Sequence, residues 1–184
     1  MSFEINLANY VLGNVDELSL IDICIDAIQE GIESDHLLIV ASENKNDSNV
    51  FELKENFNKA LKELSVNCPD KKKAVKILLC FWVKKIIDSE ISPKEGLDKI
   101  KYNVYDKYEG YNKDKNVIGD SLKIENLMSL FRAYGDIQEP YIEYEGKNIS
   151  EKEAVEILNK NTTEEAEKYY VHNCRSSHGV CAVK

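Results

Sequence analysis

Ile77-Leu78-Leu79-Cys80-Phe81-Trp82-Val83 is an unbroken apolar run, bounded by Lys76 on one side and Lys84-Lys85 on the other. It is far shorter than the roughly 18 residues that a membrane-spanning helix requires, so it reads as protein interior. Seven consecutive apolar residues point in every direction around a helix, the pattern of a central helix in a bundle and not of a surface helix with one oily stripe. Cys68-Pro69 closes the segment before it, because the residue preceding a proline is pushed out of the helical region, and Asp70 is placed to cap the new helix. That helix is expected to run to about Ser89, with Phe81 and Trp82 near the core.

Downstream, Ser92-Pro93-Lys94-Glu95 is a strong helix start. Ser92 can accept from the Glu95 amide, and Pro93 sits in the first turn, where its missing donor costs nothing. Leu97, Ile100, Val104, Tyr105 and Tyr108 continue that helix to Gly110, and residues 111–119 read as a loop. Asp120 or Ser121 is expected to cap a helix carrying Ile124, Leu127, Met128, Phe131 and Tyr134, with Gly135 as its left-handed stop and Pro140 beyond. Residues 141–146 alternate too briefly for a sheet of their own and read as an extended connector or hairpin arm. Ser150 with Glu153, and Thr162 with Glu165, form capping boxes for two closing helices.

Upstream, Leu18, Ile21, Ile25, Ile28 and Ile32 recur at helical spacing and predict an amphipathic helix over 16–32. Leu37 to Ala41 reads as a buried helix, with a buried strand as the alternative. Asn49 and Glu52 can open another helix whose buried side is Phe51, Phe57, Ala60, Leu61 and Leu64. The opening Phe3, Ile5, Leu7 alternation fits a short strand, while Ala8 to Leu12 fits a helix start. The expectation is a mostly α, irregular single-domain helical bundle of about seven or eight helices over 1–171, with at most one short extended or hairpin element near 141–149 and a C-terminal tail over 172–184.

Composition sets the class. With 43% hydrophobic and 31% charged residues the chain matches ordinary globular proteins and not disordered ones. Met1-Ser2-Phe3-Glu4 lacks the basic and apolar regions of a secretory signal, and five cysteines is an odd number. Cys24 and Cys80 fall in apolar helical patterns, where a reduced thiol behaves as a small hydrophobe. These features predict a cytoplasmic protein. Arg132 and Arg175 are the only arginines, a lysine bias that hints at an AT-rich, bacterial-type genome.

Catalytic signatures for nucleotide binding, metalloproteolysis or serine hydrolysis are missing from the sequence, so no catalytic residue is assigned and no cofactor is expected. Asn112, Asp114 and Asn116 resemble the start of a calcium loop but fail at Val117, where glycine is required, and at Lys123, where a bidentate glutamate is required. In the tail, His172, Cys174, His178 and Cys181 are all zinc-type ligands, which makes a metal-binding or redox-sensing protein the alternative function. Their spacing is more compressed than that of ordinary structural zinc sites, and a poorly ordered terminus with a Cys174–Cys181 disulfide accounts for the same residues. Tyr102, Tyr105, Tyr108 and Tyr111 recur every third residue, either as an aromatic ladder for a partner or as rings at the edge of the core.

Charge is distributed in blocks. Residues 1–50 hold ten carboxylates against one lysine, which accounts for the whole formal charge of −9. Such a segment repels phosphate backbones, so nucleic acid is not an expected partner, and no membrane partner is expected either. It speeds association with a basic protein. Asp16, Glu17, Asp22, Asp26, Glu30, Glu33 and Asp35 are the candidate partner-binding residues, with Asp22, Asp26, Glu30 and Glu33 placed opposite the Ile21, Ile25, Ile28 stripe. In size, acidity, helical irregularity and lack of catalytic residues, the chain is similar in type to small bacterial immunity and regulatory proteins. That similarity implies a protein-binding inhibitor that neutralises a basic partner such as a toxin.

Overall fold

The computed structural model describes residues 2–109, 122–137 and 142–175. These are mostly helical, with one two-stranded antiparallel sheet. Among them no helix is long and apolar enough to cross a membrane. The chain divides into two compact units, Met1–Leu78 and Leu79–Lys184.

The first unit begins with α1 (Phe3–Val11) and α2 (Ser19–Gln29), so the ambiguous opening is helical and the second helix is shorter than expected. Its end is set by Gly31, whose φ of +83° is open to glycine at little cost. The Ile32 amide turns back to the Ala27 carbonyl at 3.0 Å, which closes the helix in a Schellman arrangement. Next come α3 (Asp35–Ala41), capped by the Ser34 hydroxyl, and α4 (Val50–Glu63), capped by Asn49. Their cores meet at Leu20, Leu37, Val40, Leu53 and Phe57, with the Tyr10 ring edge-on to Phe57 at 6.0 Å.

Two expected core residues lie outside. In α2 the buried positions are Leu20, Ile21, Ile23, Cys24 and Ala27, which leaves Ile25 exposed. In α4 Leu53, Phe57, Ala60 and Leu61 are buried, and Phe51, two residues before Leu53 and so on another side of the helix, is 76% exposed.

Helix α5 (Lys71–Ile87) runs across the division of the chain, with Asp70 accepting from the Lys73 amide at 2.7 Å. It is not buried on all sides. Ala74, Val75, Leu78, Leu79, Val83 and Ile86 form one broad buried stripe, while Phe81 and Trp82 are half-buried and pack edge-to-face at 4.7 Å. Cys80, expected as a reduced thiol, is instead bonded to Cys174.

In the second unit α6 (Pro93–Ile100) starts at Ser92, whose hydroxyl accepts from the Glu95 amide. It continues through a π-helical segment (Lys101–Tyr105) into α7 (Asp106–Glu109). Gly96 lets α6 approach α5, because a Cβ there would fall inside the envelope of the Ile86 side chain. Helix α8 (Glu125–Asp136) follows. Gly135 lies inside it with ordinary helical backbone, so it is not the left-handed stop. The expected cap at Asp120 or Ser121, the calcium-like residues Asn112, Asp114 and Asn116, and Pro140 lie outside the described residues.

Strands β1 (Ile142–Tyr144) and β2 (Lys147–Ile149) pair Ile142 with Ile149 and Tyr144 with Lys147. The positive φ of both Glu145 and Gly146 supplies the two-residue turn that matches strand twist. Helix α9 (Glu151–Asn173) opens with the full Ser150–Glu153 capping box. It then passes without a break through Thr162, where the sequence suggested a second start. Thr162 is fully buried in line with Ala166 and Tyr169. The neighbouring Thr163 hydroxyl donates to the Asn159 carbonyl at 3.0 Å, which satisfies it within the helix. Apolar packing thus overrides the local capping preference.

Candidate functional site

The acidic N-terminal segment is the sequence's main candidate, and the structure gives most of its carboxylates work inside the chain. Asp16 accepts from the Ser19 amide at 2.9 Å and the Ser19 hydroxyl at 2.7 Å, which opens α2 and holds the Asp16 carboxyl below its usual range. Lys54 donates to Glu17 at 3.1 Å. That bond lowers Glu17 and raises Lys54. Lys45, from the loop after α3, pairs with Asp22 at 2.5 Å. Asp26 accepts from the Asn6 side-chain amide at 3.1 Å, and Glu30 accepts from the Phe3 backbone amide, also at 3.1 Å.

The last two contacts come from α1. They show that the row Asp22, Asp26, Glu30 flanks a neighbouring helix and is not wholly turned to solvent. Glu30 satisfies one of the open amides at the start of α1, where the helix dipole favours negative charge. Because α2 ends at Gln29, Glu33 does not continue the row. Among the described residues, Glu33 and Asp35 are exposed carboxylates of the candidate set with no side-chain partner. The structure therefore assembles the seven only in part.

A second feature of the same unit was missed from sequence. Leu38 and Ile39 on α3 are 54% and 43% exposed, and Val50 and Phe51 open α4 with Phe51 at 76%. Glu63, at the far end of α4, fastens the two helices to each other. Its carboxylate accepts from the Ser34 hydroxyl, the His36 amide and His36 Nδ1, all at the start of α3. The start of α3 is thus tied to the end of α4. One signal was available: four successive apolar residues, Leu37-Leu38-Ile39-Val40, cannot all face inward on a short helix with neighbours on one side.

Ser34, His36 and Glu63 are a serine, a histidine and an acid within reach of one another, yet they are not a nucleophilic relay. Both the hydroxyl and the imidazole bond the carboxylate, whereas activation of a serine requires the ring to accept from the hydroxyl. The bonds to Ser34 and His36 hold Glu63 below the usual carboxylate range. The arrangement caps α3 and fastens it to α4.

In the C-terminal set, His172 is exposed and its Nδ1–H donates to the Lys168 carbonyl at 2.7 Å. Cys174 is fully buried and bonded to Cys80, so in this state it has no thiolate to offer a metal. His178 and Cys181 lie outside the described residues. Among those described, no three His, Cys, Asp or Glu side chains converge to hold a metal ion. Tyr102 is 57% exposed, packs edge-on to Phe131 at 6.0 Å and, with Tyr105, contacts the Lys101 ammonium. Tyr111 is outside the described residues.

No protein-family model matches the chain, and no curated protein or solved structure resembles it significantly.

Proposed function

We propose that this protein is a binding module, of the immunity or regulatory inhibitor kind, that covers a basic site on a partner protein such as a toxin. Its contact surface is the outward face of α3 with the first turn of α4. The observation that carries this reading is the exposure of Leu38, Ile39 and Phe51 in the unit that also presents the unpartnered carboxylates Glu33 and Asp35. Exposed clusters of large apolar side chains mark recognition surfaces, and aromatic residues are favoured anchors there. The negative field of residues 1–50 adds rate and selectivity for a cationic partner. Asp26 and Glu30, by contrast, support α1 in this reading and are not contact residues.

The test is capture from the native host, with wild type compared against Phe51→Ala, Leu38→Ala and a Glu33→Lys/Asp35→Lys double variant. A basic protein is expected with wild type. Its affinity is expected to fall roughly tenfold or more with the apolar truncations, as for a contact hot spot. Charge reversal is expected to slow association and flatten its salt dependence. Equal capture of the same protein by all three variants rules this surface out.

A further inference from the structure

Cys80 lies in mid-helix on α5 and Cys174 caps the end of α9, with their Cα atoms 5.7 Å apart across 94 residues of sequence. One turn further along α5, the Lys84 ammonium sits 5.9 Å from the centre of the Tyr170 ring, which is one turn back along α9 from Cys174. The two layers, Cys80–Cys174 and Lys84–Tyr170, make an antiparallel seam between the first helix of this unit and its last. Beyond Tyr169, Cys174 is the only fully buried residue described; Val171 and His172 are exposed. The disulfide is thus the covalent part of what docks the last turn of α9, beside the Lys84–Tyr170 contact.

We propose that the Cys80–Cys174 disulfide is a reversible redox latch on the end of α9, opened by a protein dithiol. Two features favour a latch over a permanent cross-link. The same chain keeps an exposed free thiol at Cys68 and a buried one at Cys24, which is unlike a fully oxidised disulfide scaffold. The two halves also differ in burial, Cys80 being half-buried while Cys174 is completely covered, so attack at Cys80 is the expected route.

A reductant thiolate attacks the Cys80 sulfur, the Cys80–Cys174 bond breaks, and Cys174 leaves as a thiolate that takes up a proton. The second reductant thiol then attacks the reductant's own sulfur in the mixed disulfide and releases Cys80, which is protonated in turn. Two electrons pass from the dithiol, which ends as a disulfide, to the cysteine pair, which ends as two thiols.

The experiment treats the full-length protein with excess dithiothreitol, without denaturant. It follows Cys80 and Cys174 by alkylation and mass spectrometry, and hydrogen exchange along the chain. Reduction is expected to go to completion within about an hour. Exchange should rise roughly tenfold or more over residues 169–175 and stay unchanged in α8, as for a local opening. Cys174→Ser should reproduce the reduced pattern without reductant. A bond that survives until denaturant is added, exchange that rises equally in α8, or exchange that does not change at all would each overturn the latch.

Discussion

In residues 1–78 the helices are tied together by polar side chains reaching between elements: Glu63 to Ser34 and His36, Glu30 to the Phe3 amide, Lys54 to Glu17. In residues 79–184 such bonds also occur, Tyr134 to Asn159 and Asn126 to Glu165, but a covalent bond at Cys80–Cys174 and a close helix approach at Gly96 are added to them. The difference lies in how strongly each unit resists rearrangement. Exposed ion pairs add little to stability, whereas the cross-link holds the end of α9 to α5 covalently for as long as it stays oxidised. The first unit thus rests on its apolar core, and its outward Phe51 is, at 76%, the most exposed large apolar side chain among the described residues.

The contrast is broken most directly through that core. Phe57→Ala removes a ring that is 2% exposed and packed against Tyr10. It should destabilise the first unit by about 3–5 kcal/mol, seen as faster hydrogen exchange over α1 to α4 with α8 unaffected. Equal acceleration in α8 would mean that the units do not respond separately. Next in size is Gly96→Ala, where the new methyl meets Ile86. A loss of about 1–3 kcal/mol in the second unit is expected, and Ile86→Ala in the same chain should recover part of it in chemical denaturation.

A smaller effect belongs to Ser150→Ala. Loss of the capping box at the start of α9 should cost about 1 kcal/mol and raise exchange in its first turn only. The smallest is a pH effect at Glu63. Its carboxyl is held below the usual value of 4.5 by Ser34 and His36, so its contribution is present above that pH and is lost as pH falls through the lower, folded-state value. Thermal melts of Glu63→Gln should show less acid sensitivity than wild type as pH falls below 4.5, and an unchanged acid profile would sever the link between Glu63 and α3.

What could be read from the sequence was local. Ser92 and Ser150 announced α6 and α9 because a cap needs only a hydroxyl, an amide three residues on and a fitting backbone. Ser34 and Glu63 were not legible, because their bond joins residues 29 positions apart and leaves no periodic mark. The same limit explains Phe51: nothing local tells an apolar residue at a helix start whether a neighbour will cover it. Thr162 failed in the opposite way, since a valid capping pattern was overruled by burial. Of the candidate acidic residues, the sequence supplied charge and approximate helix, but the α1 contacts that occupy Asp26 and Glu30 could come only from the fold.

The π-helical segment at Lys101–Tyr105 carries a consequence for spacing. A π turn accommodates one residue more than an α turn, so Tyr105 and Tyr108 stand about a quarter-turn away from where a continuous α-helix begun at Pro93 would put them. Shortening the chain by one residue at Asn103 would let the segment rewind as plain α-helix and swing both rings to a new azimuth while leaving Leu97 and Ile100 seated. The extra residue thus works as a rotational offset between the buried start of this helix and the aromatic side chains that follow it.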